Sequence, residues 1–229
     1  MPLQYTYLLL DFLTVIICFI FSFDRRIRFD RHFGAFLKAV VLVSIPFLGW
    51  DVLFTRMGVW WFNDVYTVGL RFAGLPLEEW LFFICIPFAC VFTWYCLDKF
   101  FDLAWTNALN NIIVFVAITV CLLAALLEPG RWYTLVTAVA TALVLLYMHF
   151  VAKWPQIGQV TMVYLLLMPG FFAVNGVLTG TGLANPVVNY DPEEMLNIRV
   201  RTIPVEDFVY GYAQFLLNVY FFEKFKIKS

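Results

Sequence analysis

Long apolar runs, broken at near-regular intervals by short charged segments, dominate this sequence. Runs close to twenty residues long sit near 3–23, 35–52, 77–97, 109–127, 132–151, 158–178 and 205–223. An α-helix needs about 20 predominantly apolar residues to cross a bilayer core of about 30 Å. The pattern therefore predicts an all-α integral membrane protein of seven transmembrane helices. Glu128-Pro129-Gly130-Arg131 reads as a tight polar turn after the fourth run.

Basic residues orient the predicted spans, because lysine and arginine accumulate in cytoplasmic connections. Arg25, Arg26, Arg28, Arg31, Lys38, Lys99, Lys153, Lys224, Lys226 and Lys228 fall on one side, and Arg56, Arg71, Arg131, Arg199 and Arg201 on the other. This places the N-terminus outside and the C-terminus in the cytoplasm, in a membrane of the bacterial inner type. Asp11 interrupts the first run and Arg25-Arg26 follow it rather than precede it. That is the wrong layout for a cleavable signal peptide, so residues 3–23 are expected to stay as a helix.

Two outer connections, 53–76 and 179–203, exceed the usual length of structureless loops and are candidates for function. The first contains Trp60-Trp61-Phe62-Asn63 and is too aromatic to be a solvated strap. It is expected either to anchor in the membrane interface or to fold back over the bundle as a lid.

The two halves repeat a pattern. Pro46, then Asp51 and Thr55, a long loop, and Pro76-Leu77-Glu78-Glu79-Trp80 are matched by Pro169, then Asn175 and Thr179, a long loop, and Pro204-Val205-Glu206-Asp207-Phe208. The chain thus divides into a three-helix repeat (1–97), a linking transmembrane helix (98–130) and a second three-helix repeat (131–229). A linking helix restores the chain direction, so the repeats are parallel, related by an axis along the membrane normal. Their long loops and acid pairs meet on the same side.

Composition agrees with the pattern. Apolar residues make up 63% and charged residues 14%, with a mean hydropathy of +0.84, against about 45–50% and 25% in soluble domains. A net charge of -1 gives no reason to expect a nucleic-acid partner. Cys18, Cys85, Cys90, Cys96 and Cys121 lie in apolar runs without C-x-x-C spacing and read as small core residues. His32 and His149 lack ligand partners at helical spacing, so no metal is expected. There is no G-x-G-x-x-G or P-loop for a flavin or nucleotide, and no D-D-x-x-D-like cluster for magnesium. The chemistry expected is acid–base, without a cofactor.

Ionisable residues in a span cost at least ~2.5–3.5 kcal/mol at its centre and are functional candidates by default. Glu78, Glu79, Glu206 and Asp207 stand out. Proline followed by acids is also an ordinary helix start, since acids meet the positive end of the helix dipole; the duplication favours function. Adjacent helical positions point about 100° apart, so one acid of each pair faces the interior. Glu78 and Glu206 are the first choice for catalysis, with Glu79 and Asp207 as orienting partners. Asp11, about 12 Å into the first helix, breaks the symmetry; it could pair with a loop arginine or differentiate the two halves, and it is counted among the candidate substrate-binding residues. Asp51 and Asn175 either cap their helices or, with Trp60, Trp61, Asn63 and Trp80, contact the substrate.

Pro76-Leu77-Glu78-Glu79 and Pro204-Val205-Glu206-Asp207 resemble the P-x-E-E/D signature of the non-flavin lycopene cyclase family. Ser22-Phe23-Asp24-Arg25-Arg26-Ile27 and Gly58-Val59-Trp60 with Phe62-Asn63 resemble that family's regions as well. The resemblance covers nearly the whole chain and its fused single-chain form. It implies a membrane enzyme, an intramolecular lyase or isomerase, acting on lycopene or a related linear carotenoid. A carboxylic acid would protonate the terminal alkene, the next double bond would close a six-membered ring, and loss of a proton would leave a β-ionone end. Aromatic faces such as Trp60, Trp61, Tyr66, Trp80 and Phe208 would stabilise the cation. Alternatives are a carotenoid hydratase or a non-catalytic seven-helix polyene-binding protein. Covalent retinal is disfavoured because 205–223 contains no lysine.

Overall fold

The computed structural model describes residues 3–226, so Lys228 of the basic tail lies outside it. Among the described residues, eight α-helices carry the fold: α1 (Thr6–Phe21), α2 (Phe33–Met57), α3 (Leu77–Phe100), α4 (Asn110–Leu127), α5 (Trp132–Leu146), α6 (Ile157–Leu166), α7 (Met168–Leu178) and α8 (Val205–Phe225). Six short strands, β1 (Trp60–Phe62), β2 (Arg71–Phe72), β3 (Leu75–Pro76), β4 (Val188–Tyr190), β5 (Arg199–Val200) and β6 (Ile203–Pro204), lie in the two long loops.

Five helical segments are long and apolar enough to cross a membrane, and six if α6 and α7 count as one span. One sequence expectation changes here. The sixth run is not one helix: it breaks at Leu167 and bends by 58°. Pro169 explains the break, because proline donates no N–H and its ring crowds the carbonyl four residues earlier. Pro46, by contrast, sits inside an unbroken α2. The seventh run, α8, is one helix but is more polar than the other runs. It carries Glu206, Asp207, Gln214 and Asn218, all buried. It packs on α2, α5, α3 and α6, so protein rather than lipid meets these polar groups.

The core lies where α2, α3, α5, α6 and α8 meet, around Phe36, Trp94, Leu145, Val160 and Leu216. At the end away from the long loops, Lys99 Nζ donates to the Ile27 carbonyl at 2.8 Å and ties the first connection to α3.

The long loops fold back over the other end as a lid and pair with each other. β1 runs antiparallel to β4, with Trp60 opposite Tyr190, Trp61 opposite Asn189 and Phe62 opposite Val188. Asn63 N–H donates to the Val187 carbonyl at 2.8 Å, and Asp191 N–H to that of Val59 at 2.9 Å. These pairs map onto one another when residues 128 apart (206 − 78) are exchanged. The lid is therefore a two-stranded ribbon folded about a local two-fold axis. Each loop then makes a hairpin, β2–β3 or β5–β6. In the first, Ala73 and Gly74 both take positive φ (54° and 98°), the turn that follows the twist of paired strands. Pro76 and Pro204 close the hairpins and stand at the caps of α3 and α8.

Candidate active site

A cavity of about 510 Å³ lies beneath the lid. α3 presents Glu79, Phe82, Ile86 and Cys90 to it, and α8 presents Asp207, Tyr210, Gln214 and Asn218. Each α8 residue stands 128 positions after its α3 counterpart. Steps of three and four residues keep each set on one helical face. The cavity thus sits between the two equivalent helices, its roof formed by Trp60 and Phe62 of β1 and Val188 and Tyr190 of β4.

The acids divide as helical geometry requires, but in the opposite sense to the expectation. Glu79 and Asp207 line the cavity, whereas Glu78 and Glu206 do not. Glu78 Oε1 accepts the Val68 N–H at 2.7 Å, and Glu206 Oε1 accepts the Leu196 N–H at the same distance. Thr134 Oγ1 also donates to Glu206, at 2.7 Å. The outer acid of each pair thus holds its lid loop. The turn of about 100° to the next residue aims the second acid inward.

The two inward acids have unlike neighbours. Tyr7 Oη donates to Glu79 Oε2 at 2.6 Å, and Asp51 lines the same cavity as a second carboxyl, close enough to interact electrostatically with Glu79. Trp60 Nε1 donates to Asp51 Oδ1 at 2.6 Å. Two buried carboxyls side by side resist double ionisation. Asp207 stands among donors instead. Tyr133 Oη reaches its Oδ1 at 2.5 Å, and Tyr190 Oη and Asn175 Nδ2 reach its Oδ2 at 3.0 and 3.4 Å. Burial holds the Tyr190 hydroxyl well above the ordinary tyrosine range, and the adjacent Asp207 carboxyl adds to the effect. Tyr190 is therefore a neutral donor.

The remaining expected residues separate into two groups. Asp51, Asn175 and Trp60 line the cavity. Asp11, Trp61, Asn63 and Trp80 do not. Trp61 is 47% exposed, because its neighbours in β1 face inward. Asn63 Oδ1 accepts the Val65 N–H and caps a short helical turn, and Trp80 Nε1 donates to the Phe72 carbonyl. Asp11 is buried against α3, and neither carboxyl oxygen has a hydrogen-bond partner among the described residues, a loop arginine included. Sequence reasoning missed Tyr7, Tyr133, Tyr190 and Tyr210. Tyr7 and Tyr133 stand at the equivalent position of α1 and α5, so extending the repeat to those helices would have found them.

Aromatic rings crowd the roof. Tyr133 and Tyr190 stack at 5.8 Å, and Trp60 meets Tyr133 edge-on at 5.1 Å. A carbocation formed beneath them would face π surfaces rather than water.

A family model described as Lycopene cyclase matches the chain over two repeated regions, residues 4–97 and 130–225. Comparison with curated proteins and with solved structures returns no match.

Proposed function

Because the chain belongs to the lycopene cyclase family, we propose that it closes the linear ends of lycopene to β-ionone rings by acid–base catalysis without redox change. The observation that carries this reading is the pair of unlike acid centres on one roofed cavity. The Glu79–Asp51 pair holds a proton and acts as the acid. Asp207, supplied only with donors, acts as the base.

Glu79 delivers its proton to the terminal alkene, at the carbon that leaves the positive charge on the dimethyl-substituted carbon. The π electrons of the next double bond attack that carbon and close the ring, moving the charge to the ring carbon bearing a methyl group. Asp207 removes a proton from the neighbouring ring carbon, and the C–H electrons become the ring double bond. One proton enters and one leaves, so the product is an isomer of the substrate. The proton then returns from Asp207 to the Glu79–Asp51 pair before the next ring. Tyr133, Tyr190 and Trp60 shield the cation from water, and the lid keeps out a nucleophile that would trap it.

The membrane arrangement belongs to the same reading. α6 and α7 together make the sixth span and α8 the seventh, giving two parallel three-helix repeats (1–97 and 131–229) joined by α4 within 98–130. The lid end faces outward and the lysine-rich end faces the cytoplasm, with the bilayer supplying the polyene.

The test is to incubate membranes holding the chain with lycopene in heavy water and analyse the pigments by mass. Cyclic products carrying one solvent deuterium per ring support the proposal. Rings without deuterium exclude a solvent-exchangeable acid as the initiator, and unchanged lycopene with folded protein sinks the assignment.

A further inference from the structure

The cavity is shorter than its substrate and has a wall missing on one side. Glu79 and Cys90 mark its two ends along α3, a span of about 16 Å at 1.5 Å per residue. An extended C40 polyene is at least as long as the hydrocarbon core is thick, about 30 Å. Most of such a molecule must stay outside while one end reacts. The roof is closed by β1 and β4, and the deep end by Tyr164, Phe215 and Asn218. The side between α1 and α7 is different. Leu13 of α1 and Gly170 and Ala173 of α7 line the cavity and are also exposed on the outer surface of the helices. A Cβ added at Gly170 would meet open space.

The two halves show why the gap exists on this side. α2 is unbroken and packs along α8, whereas the equivalent α6–α7 pair is bent and meets α3 through α6. The bend leaves α7 leaning on α1 by a slight contact. From Tyr7 to Leu13 is about 9 Å along α1, and from Asn175 to Gly170 about 7.5 Å along α7. The opening therefore lies a short way below the acids, at the depth of lipid tails.

Resting on the cyclase reading, we propose that the gap between α1 and α7 is a lateral portal. One end of a lipid-dissolved polyene enters through it, and the rest of the chain trails back through it into the bilayer. Gly170 and Ala173 are its specificity-determining residues: their small side chains keep the gap wide enough for a polyene end to enter before closure and for the ring to leave after it. Because the gap admits one end while the rest of the chain stays in the bilayer, the reaction is ordered as entry, closure and release of one end at a time.

Gly170→Phe and Ala173→Phe test the portal, since Gly170 faces open space, Ala173 is exposed, and neither touches the acids. Two substrates are compared, lycopene and a short acyclic ketone with the same dimethyl-alkene end, small enough to fit wholly inside. The expected result is a loss of lycopene conversion of at least tenfold with conversion of the short substrate retained. Equal loss on both substrates, or no loss on either, overturns the portal. Quenching of tryptophan emission by lycopene in proteoliposomes separates this failure from that of the cyclase reading. A wild-type chain that binds lycopene without converting it sinks the cyclase reading. The portal then stands if Gly170→Phe abolishes the quenching and falls if quenching persists.

Discussion

The Glu79 and Asp207 centres occupy equivalent places on α3 and α8 but are furnished in opposite ways. Glu79 has a second carboxyl beside it, Asp51, where the other half has the amide of Asn175. Asp207 has two tyrosine hydroxyls, one from the equivalent of Tyr7 and one from the lid, where Phe62 is the counterpart of Tyr190. A duplicated frame thus holds a proton-rich centre and a donor-rich one. Duplication alone would suggest one active site per substrate end. On the proposed reading, the difference between the halves makes one site, divided into acid and base, through which both ends pass in turn.

The widest test of that comparison removes each inner acid. Glu79→Gln and Asp207→Asn should each lower ring formation by about 10²–10⁴-fold, the usual contribution of a positioned acid or base. Chromatography of the pigments decides between the two arrangements. Divided roles predict that neither variant accumulates the monocyclic product. A site per end predicts that each variant stops at one ring, and that outcome would sink the division of roles.

Exchanging the furnishings comes next. Asp51→Asn keeps an oxygen for Trp60 but removes the second carboxyl, and Asn175→Asp sets a new carboxyl beside Asp207. Each should slow conversion by about ten- to a hundredfold, on the order of 1.4–2.8 kcal/mol in the barrier. Initial rates at saturating lycopene read the effect. Equal tolerance of both changes would mean that the neighbours of the inner acids do not set their roles.

The frame was more legible in sequence than the site. Apolar runs and the two proline–acid motifs foretold most helices, the repeat and the shared end of the two loops, because these depend on periodicity and local composition. The bend at Leu167 was carried by Pro169, yet Pro46 leaves α2 unbroken, so proline alone did not tell which helix breaks. The inward acid was misjudged for a related reason. The pairing of Glu78 with Val68 N–H and of Glu206 with Leu196 N–H depends on where a loop ten residues away returns. Pattern gives the angle between neighbouring side chains but not which of them meets the cavity. The lid tyrosine, Tyr190, sat in a segment without periodicity, and only its pairing with Trp60 brings it over Asp207.

The outer acids should affect stability more than chemistry. Glu78→Ala leaves the Val68 N–H without its acceptor, at a cost of about 1–3 kcal/mol. Glu206→Ala strands both the Leu196 N–H and the Thr134 hydroxyl and should cost more. Thermal unfolding in detergent measures the difference. If Glu78→Ala and Glu206→Ala left stability intact and removed conversion as fully as Asp207→Asn, the outer acids would be the catalysts and the assignment would reverse.

The smallest expected effect concerns Asp11, where the first half departs from the second without touching the cavity. Counting from Tyr7 and Tyr133, its counterpart is Thr137. Asp11 faces Glu78 across the α1–α3 contact, and both its oxygens and Glu78 Oε2 are buried without hydrogen-bond partners among the described residues. The second half has fewer such atoms at this level: Glu206 Oε2 and the Thr137 hydroxyl are also without partners among the described residues, but Thr134 donates to Glu206 while Leu8 stands in its place in the first half. A buried carboxyl without partners costs more than a single buried hydroxyl without one. Asp11→Thr, which gives the first half the side chain of the second, should therefore raise stability by roughly 1–3 kcal/mol and leave lycopene conversion unchanged. Thermal unfolding and pigment analysis of the same preparation read both quantities. Raised stability with lost conversion would mean that the strained acid is kept for proton transfer, and Asp11 would join Glu79 and Asp51 as a third carboxyl of the proton-rich half.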